Sequence, residues 1–295
     1  MIIDTHAHVS SPDVRRYPTQ YTLRGNTEMP TLGDYVRQIP VLPVEQFIAE
    51  NDAAGIDATV VVQMYARYAY DNNYAADSVA RYPGRLALVC TIDPTLPDAV
   101  DTLDYWITER GATGVRLLTS THQDSPWLGD ERTFGVWELA RKRDITIIAQ
   151  IFGDLAPTLA RVLQRFPDQR VALDHLGYPA LDDGPPYAKA APLFSLTACP
   201  NLAVKFSTDN IIAAAKGAGT QRAFFEQLIE RFGPSRVMWG SNYNFIYTPG
   251  LAEQIATARS ILSFLSPDET EQVFAGTALR HWPSLKEALI KSQKM

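Results

Sequence analysis

The chain begins Met1-Ile2-Ile3-Asp4-Thr5-His6-Ala7-His8. Three apolar residues run into a His-x-His pair, and in an extended strand residues two apart point to one side, so His6 and His8 project together from a strand end. Two imidazoles at one strand end begin a site only if other strands end beside them. Seven further short runs rich in Val, Ile and Leu follow: Ala58 to Met64, Leu86 to Ile92, Gly114 to Leu118, Ile145 to Ile151, Val171 to His175, Leu202 to Phe206 and Val237 to Ser241. They show little alternation, as parallel strands covered on both faces do. Amphipathic stretches of helical length lie between them: Pro43 to Ala54, Tyr74 to Tyr82, Pro97 to Arg110, Glu131 to Arg143, Leu155 to Phe166 and Thr220 to Phe232. Leu42-Pro43, Gly55, Gly111 and Gly233-Pro234 punctuate them. Strand and helix alternating without a composition break predict an α/β fold, a single (β/α)8 TIM barrel over residues 1–295. A doubly wound open sheet is the alternative, but no Gly-x-Gly-x-x-Gly turn follows the first strand.

Two segments depart from compact barrel units. Val9 to Leu42 (about 9–42) is a long connection with Pro, Tyr and Arg, expected to act as a lid over the site, and Leu176 to Pro186 forms a second ordered loop. From Pro267 (about 267–295) the chain reads as a C-terminal helical extension with a frayed Lys-rich end.

At 295 residues, with 46% hydrophobic and 20% charged residues, the composition is that of a globular enzyme. A net charge of −6 argues against nucleic acid or an anionic membrane as partner, since either needs a basic face. No window has the roughly 18 apolar residues of a membrane span and no signal-like N-terminus is present, so a cytoplasmic protein is expected. Its oligomeric state is not legible. Cys90 and Cys199 are too few for a disulfide framework or a Cys-rich zinc site and read as buried small apolar residues.

In a barrel of this kind catalytic groups sit at the C-terminal ends of strands. Strand one offers His6 and His8, and strand six ends Asp174-His175-Leu176-Gly177, where alternation lets His175 face the mouth while Asp174 points away to anchor the wall. Strand four adds Arg116, with a rim ion pair as its plainer role, and strand seven adds Lys205, whose facing is uncertain by one residue. Strand two leads into a loop with Tyr65, Arg67, Tyr68 and Tyr70, where packing competes with recognition. His122 and His281 read as structural or surface residues.

These motifs, in this order, resemble the amidohydrolase superfamily, in the branch that contains pyrone-dicarboxylate and sugar-lactone hydrolases. The resemblance rests on Asp4-Thr5-His6-Ala7-His8, Asp71-Asn72, Ile92-Asp93-Pro94, Gly114-Val115-Arg116, Asp174-His175-Leu176-Gly177-Tyr178-Pro179 and Trp239-Gly240-Ser241, over nearly the whole chain. It implies His6, His8 and His175 as active-site groups and a carboxylate at the end of strand eight. The sequence departs from that pattern twice, with Gln150 at the place of a fifth-strand histidine and Asn242 at the place of the eighth-strand aspartate. Amides are poor replacements for metal ligands, so the expectation is no cofactor; the alternative is one divalent metal, zinc foremost, held by His6, His8 and His175.

An amide has no titratable base near neutral pH, so Asn242 orients water at most. The base has then moved to His175, Asp209 or Asp93, or hydrolysis is lost, or Asn242 is an engineered change. The expected activity is hydrolysis of a small carboxylated or sugar-derived lactone. His6, His8 and His175 would polarise the carbonyl and Asn242 would orient water. Arg116 would bind a substrate carboxylate, with Tyr65, Arg67, Lys205 and Gln150 lining the site. A zinc-dependent decarboxylase of the same superfamily and a catalytically weakened binding paralogue are the alternatives.

Overall fold

A computed structural model describes residues 1–20, 35–119 and 127–292. The strands are β1 (Ile3–Ala7), β2 (Ala58–Val62), β3 (Leu86–Thr91), β4 (Ala112–Leu118), β5 (Thr146–Gln150), β6 (Val171–Leu173), β7 (Leu202–Phe206) and β8 (Val237–Trp239). They pair in sequence order, every pair parallel. Between β8 and β1 the circle closes through an Ala7–Tyr243 bridge, the Asn242 backbone N–H donating to the His6 carbonyl at 2.7 Å, and the Thr5 hydroxyl donating to the Trp239 carbonyl at 2.6 Å. This is the expected (β/α)8 barrel, and strand order in sequence rules out a doubly wound sheet.

Helices cover the outside, including Val44–Ala54, Asn73–Arg81, Ala99–Thr108, Phe134–Lys142, Ala156–Arg165 and Gln221–Phe232. Their ends follow the expected punctuation. Gly55 takes a left-handed conformation, φ 73°, and its N–H closes the helix onto the carbonyls of Asn51 and Asp52. The Thr220 hydroxyl accepts from the Ala223 N–H at the start of Gln221–Phe232. Among the described residues no helix is long and apolar enough to cross a membrane.

Two apolar layers follow from strand periodicity. Outward residues such as Val61, Leu88, Val115, Ile147 and Val204 join Phe47, Trp137, Phe224 and Phe225 of the helices. Inward residues Ile3, Val60, Val89, Ile148, Ala172, Ala203 and Met238 fill the barrel and meet Trp282 and Leu285. The C-terminal segment is therefore a floor more than an appendage: it forms the helices Pro267–Glu271, Thr277–His281 and Pro283–Ser292, and Trp282, between the last two, is fully buried up against the strands. Space there is tight. A Cβ at Gly114 would lie 3.0 Å from Val89 Cγ2 and 3.4 Å from Trp282 Nε1.

β1 carries a bulge. Ile3 pairs with Ala58 and Asp4 with Thr59, but Ala7 pairs with Val61, so three steps on β1 match two on β2. The extra residue lets Ile3 stay in the interior while His6 and His8 also turn inward. Asp4 secures the bulge, accepting from the His6 N–H at 3.0 Å, the Ser241 N–H at 2.8 Å and the Ser241 hydroxyl at 2.5 Å. Burial raises its carboxyl to about 6. The lid expected over 9–42 falls partly on residues 21–34, outside the described residues. Its later described part is tied down by Arg67, whose Nη2 donates to the Ile39 carbonyl at 2.8 Å.

Candidate active site

Above the apolar layer the interior turns polar on the same two-residue period. Gly114 is followed by Arg116, Ile148 by Gln150, Ala172 by Asp174 and Ala203 by Lys205. Asp174 therefore points into the barrel, a correction to the wall position that alternation with His175 suggested. Alternation fails because β6 ends at Leu173. His175 (φ 52°), Leu176 (φ 57°), Gly177 (φ 69°) and Tyr178 (φ 52°) then run left-handed in succession. That turn brings His175 round to the side of Asp174. A non-glycine residue there costs roughly 1–2 kcal/mol, strain of the kind that concentrates at functional sites.

Asp174 is the hub. Its Oδ1 lies 2.7 Å from Lys205 Nζ and 3.1 Å from His6 Nδ1, and its Oδ2 accepts from Arg116 Nε at 2.7 Å. Lys205 Nζ also lies 3.0 Å from His6 Nδ1. Burial alone would raise the Asp174 carboxyl, but Lys205, His6 and Arg116 outweigh it and hold it well below the ordinary range. Burial lowers the Lys205 amine, with Asp174 opposing. The His6 ring stands 5.0 Å from that of His8 and 4.8 Å from that of His175. Burial lowers His6 well below its ordinary value, His8 to about 4 and His175 to about 3, so these imidazoles are neutral at pH 7. Among the described residues, His6 Nε2 is buried without a hydrogen-bond partner.

On the other side of the mouth, His8 Nδ1 lies 2.7 Å from the Val62 carbonyl, and a carbonyl can only accept, so Nδ1 carries the ring proton. His8 Nε2 is then a lone pair, 3.3 Å from Asn242 Oδ1. Asn242 Nδ2 donates to Asp209 Oδ2 at 2.6 Å. Asp209 stands in the first turn of a helix, Thr208–Ala215, that begins right after β7 with Ser207 as its cap and Asn210 completing a capping box. Asp209 Oδ2 is also 3.6 Å from His175 Nδ1 and 3.3 Å from the Ser207 hydroxyl, which sits 2.8 Å from His175 Nδ1. Burial raises the Asp209 carboxyl above its ordinary value. Gly240 permits the closeness of β8 to β1, since a Cβ there would lie 2.7 Å from His6 Cβ.

His6, His8, His175, Asn242, Arg116 and Lys205 thus share one mouth. The Gln150 carboxamide oxygen accepts from the Thr119 N–H at 3.1 Å across the tops of β4 and β5. Arg67 binds backbone, as above, and Tyr65 packs edge-on against Tyr70 with ring centres 5.1 Å apart. Asp93 is engaged locally, accepting from the Thr95 hydroxyl at 2.6 Å. His281 is buried at the floor beside Trp282, and His122 lies outside the described residues. Sequence reading passed over Asp174 as an inward group, Ser207, and the aromatic rim of Tyr178 stacked on His175 and Phe245 beside His8. The Ala172-to-Asp174 spacing was a usable signal for the first, and Ser207 with Asn210 for the second.

Residues 3–283 match the family model described as Amidohydrolase. A curated relative, the uncharacterized protein y4mH of Sinorhizobium fredii, is 24% identical over 260 residues, 82% of this chain and 84% of its own. A solved Pseudomonas putida chain named as a 2-pyrone-4,6-dicarboxylic acid hydrolase superposes with a TM-score of 0.74 at 21% identity, covering 96% of this chain and 97% of that one. A Burkholderia multivorans amidohydrolase with bound zinc gives 0.72 at 21% identity, covering 96% and 99%. The 5-carboxyvanillate decarboxylase of Sphingomonas paucimobilis gives 0.67 at 17% identity, covering 96% and 98%. Likeness at these identities speaks to the fold.

Proposed function

The chain belongs to the amidohydrolase family, and on that premise we propose that it hydrolyses a small carboxylated lactone without a metal ion. The observation that carries this reading is the buried, unpartnered His6 Nε2 above a Lys205–Asp174–Arg116 cluster. In the tautomer where His6 Nδ1 accepts from Lys205, the same ammonium lies 2.7 Å from Asp174 Oδ1 and offsets the 3.1 Å approach of that oxygen to Nδ1; Nε2 then carries a proton, and a substrate carbonyl oxygen supplies its acceptor. Lys205 behind the ring strengthens that donor as negative charge develops on the oxygen. His8, with Nδ1 committed to Val62, is an acceptor in this scheme and not a second donor.

Arg116 spends only Nε on Asp174. Its Nη atoms have no protein partner among the described residues and suit a substrate carboxylate. Two buried cations against the one strongly acidic carboxylate leave this side of the mouth net positive, in keeping with an anionic substrate. Asn242 orients the attacking water.

One atom each from His6, Asp174 and His175 lies within 4.8 Å of the others, the spacing of a metal cluster. The donor set does not fit a divalent cation. Both Asp174 oxygens already face cations at 2.7 Å, and Lys205 stands 3.0 Å from His6 Nδ1. A further double charge would meet that repulsion with two neutral imidazoles as its remaining ligands.

The test is turnover of 2-pyrone-4,6-dicarboxylate, a sugar lactone and a neutral lactone by protein dialysed against a chelator, with 5-carboxyvanillate as decarboxylation control. Ring opening of a carboxylated lactone is expected, with Arg116→Ala raising its KM on the order of 30-fold and leaving the neutral lactone nearly unchanged. Loss of activity on chelation, restored by zinc or manganese, would overturn the metal-free reading. Decarboxylation without ring opening would overturn the hydrolase reading.

A further inference from the structure

A proton count singles out the contacts running from β2 through β1 and β8 to the helix after β7. Val62 O meets His8 Nδ1 at 2.7 Å, His8 Nε2 meets Asn242 Oδ1 at 3.3 Å, and Asn242 Nδ2 meets Asp209 Oδ2 at 2.6 Å. A neutral His8 has one N–H, and Val62 takes it. Its Nε2 lone pair then faces the Asn242 carbonyl oxygen, two acceptors together, at the longest of the three separations. Turning the amide over gives His8 a donor but sets Asn242 Oδ1 against the Asp209 carboxylate. With His8 neutral and Asp209 ionised, no arrangement pairs every group. One additional proton completes the chain: Asp209 O–H to Asn242 Oδ1, Asn242 Nδ2–H to His8 Nε2, His8 Nδ1–H to Val62 O. Buried acceptor pairs are costly, so the chain favours taking that proton.

We propose that Asp209 accepts the proton of the attacking water and that Asn242 transmits its protonation state to His8. The work of a strand-eight carboxylate is then done from the end of strand seven. This rests on the lactone-hydrolysis reading. An aspartate in a first helical turn has a plainer use, complementing the helix dipole. Asp209 differs in aiming Oδ2 at the site amide while its side chain stays 33% exposed, within reach of water. Among the described residues the other titratable groups facing it are His175, Tyr35 and Tyr178. His175, lowered to about 3, is too weak a base to compete near neutrality, whereas Asp209 shifts upward. Asp93 holds its own turn, its Oδ1 accepting from the Thr95 N–H and hydroxyl, and no contact ties it to Asn242 among the described residues.

The step balances. A water O–H bond breaks and its proton goes to the Asp209 carboxylate, while the water oxygen bonds to the lactone carbonyl carbon and the carbonyl electron pair moves to its oxygen at His6. Collapse of the tetrahedral centre breaks the ring C–O bond. The alkoxide takes the proton back from Asp209, restoring the carboxylate.

Four proteins test this: wild type, Asp209→Asn, Asn242→Asp and the double variant, assayed on the carboxylated lactone that wild type turns over. Asp209→Asn is expected to lower kcat on the order of 10²- to 10⁴-fold with KM within a few-fold, and to remove the acid limb of the pH profile. The double variant, with its carboxylate moved to position 242, is expected to recover at least about tenfold of that loss. An active wild type with an equally active Asp209→Asn, or a double variant as inactive as Asp209→Asn, overturns the Asp209 role and leaves the lactonase reading standing. An inactive wild type and an inactive Asn242→Asp overturn the lactonase reading. The chain is read independently of activity by ¹⁵N NMR of the imidazoles. The His8 Nε2 signal should move with the Asp209 carboxyl titration in wild type and not in Asn242→Ala. A wild-type signal indifferent to that titration overturns the proposal whatever the substrate.

Discussion

At its floor the barrel interior holds Trp282, Met238, Ile148 and Ile3; toward the C-terminal ends of the strands it holds Asp174, Lys205, Arg116 and His6. Both layers are buried and both obey the two-residue period of the strands. The floor is stabilised by area removed from water, a non-directional term that tolerates any well-filled shape. The mouth must offset the desolvation of two cations and a carboxylate through a few directed contacts, so each of those contacts is indispensable to the others. One scaffold thus carries a forgiving layer beneath an unforgiving one.

Acid should separate them most. The imidazoles of His8 and His175 are lowered to about 4 and about 3, so their contribution to stability is complete above their ordinary value of 6.5 and is lost as pH falls through those two values. At roughly 1.4 kcal/mol per unit for each group, the loss reaches several kcal/mol by pH 4. Asp174, also lowered, is lost only below the ordinary carboxylate range. Asp4, raised to about 6, works the other way: its contribution is full below the ordinary carboxylate range and is lost as pH rises through 6. His281, lowered to about 3 at the floor, adds one group of the same sign as the mouth. Near-UV circular dichroism should show unfolding between about pH 4 and 5.5, before either mouth imidazole titrates in the folded protein. A native signal persisting at pH 3 would break the account of the mouth.

Next in size is Asp174→Ala, which leaves Arg116 and Lys205 buried without a counter-charge. Denaturant unfolding should show a loss of about 3–5 kcal/mol, and turnover should vanish. A loss below about 1 kcal/mol would mean that Lys205 sheds its charge cheaply and that the cluster is not the electrostatic centre. Trp282→Ala should cost a similar or slightly smaller amount, about 3–5 kcal/mol less what the site recovers by collapsing, while kcat per folded molecule stays within a few-fold of wild type. A large drop in kcat would show that floor and mouth are coupled.

The strand ends and the imidazole pair were legible because they depend on local pattern. All eight strands lie within two residues of the runs read from Val, Ile and Leu density, and His6 and His8 share a side as their spacing requires. Asp174 was misread because alternation was extended past the end of β6 into a left-handed turn, where the rule has no force. Lys205 and Arg116 were assigned to the mouth or its rim but not to each other, since a shared counter-ion is a contact between strands far apart in sequence. The floor was read as an extension because nothing local distinguishes a terminal helix that plugs a barrel from one that trails off it.

The sequence by itself determined the barrel, the order of its strands and which strands end in polar and titratable groups, because hydrophobic period and turn residues act over a few neighbours. Which side chains meet was decided only by closure. A bulge in β1 turns His6 inward above Ile3, and a left-handed run after β6 brings His175 beside Asp174. The helix after β7 sets Asp209 against Asn242. Each is a small change of backbone direction whose effect on a side chain appears only when the strand across the barrel is in place.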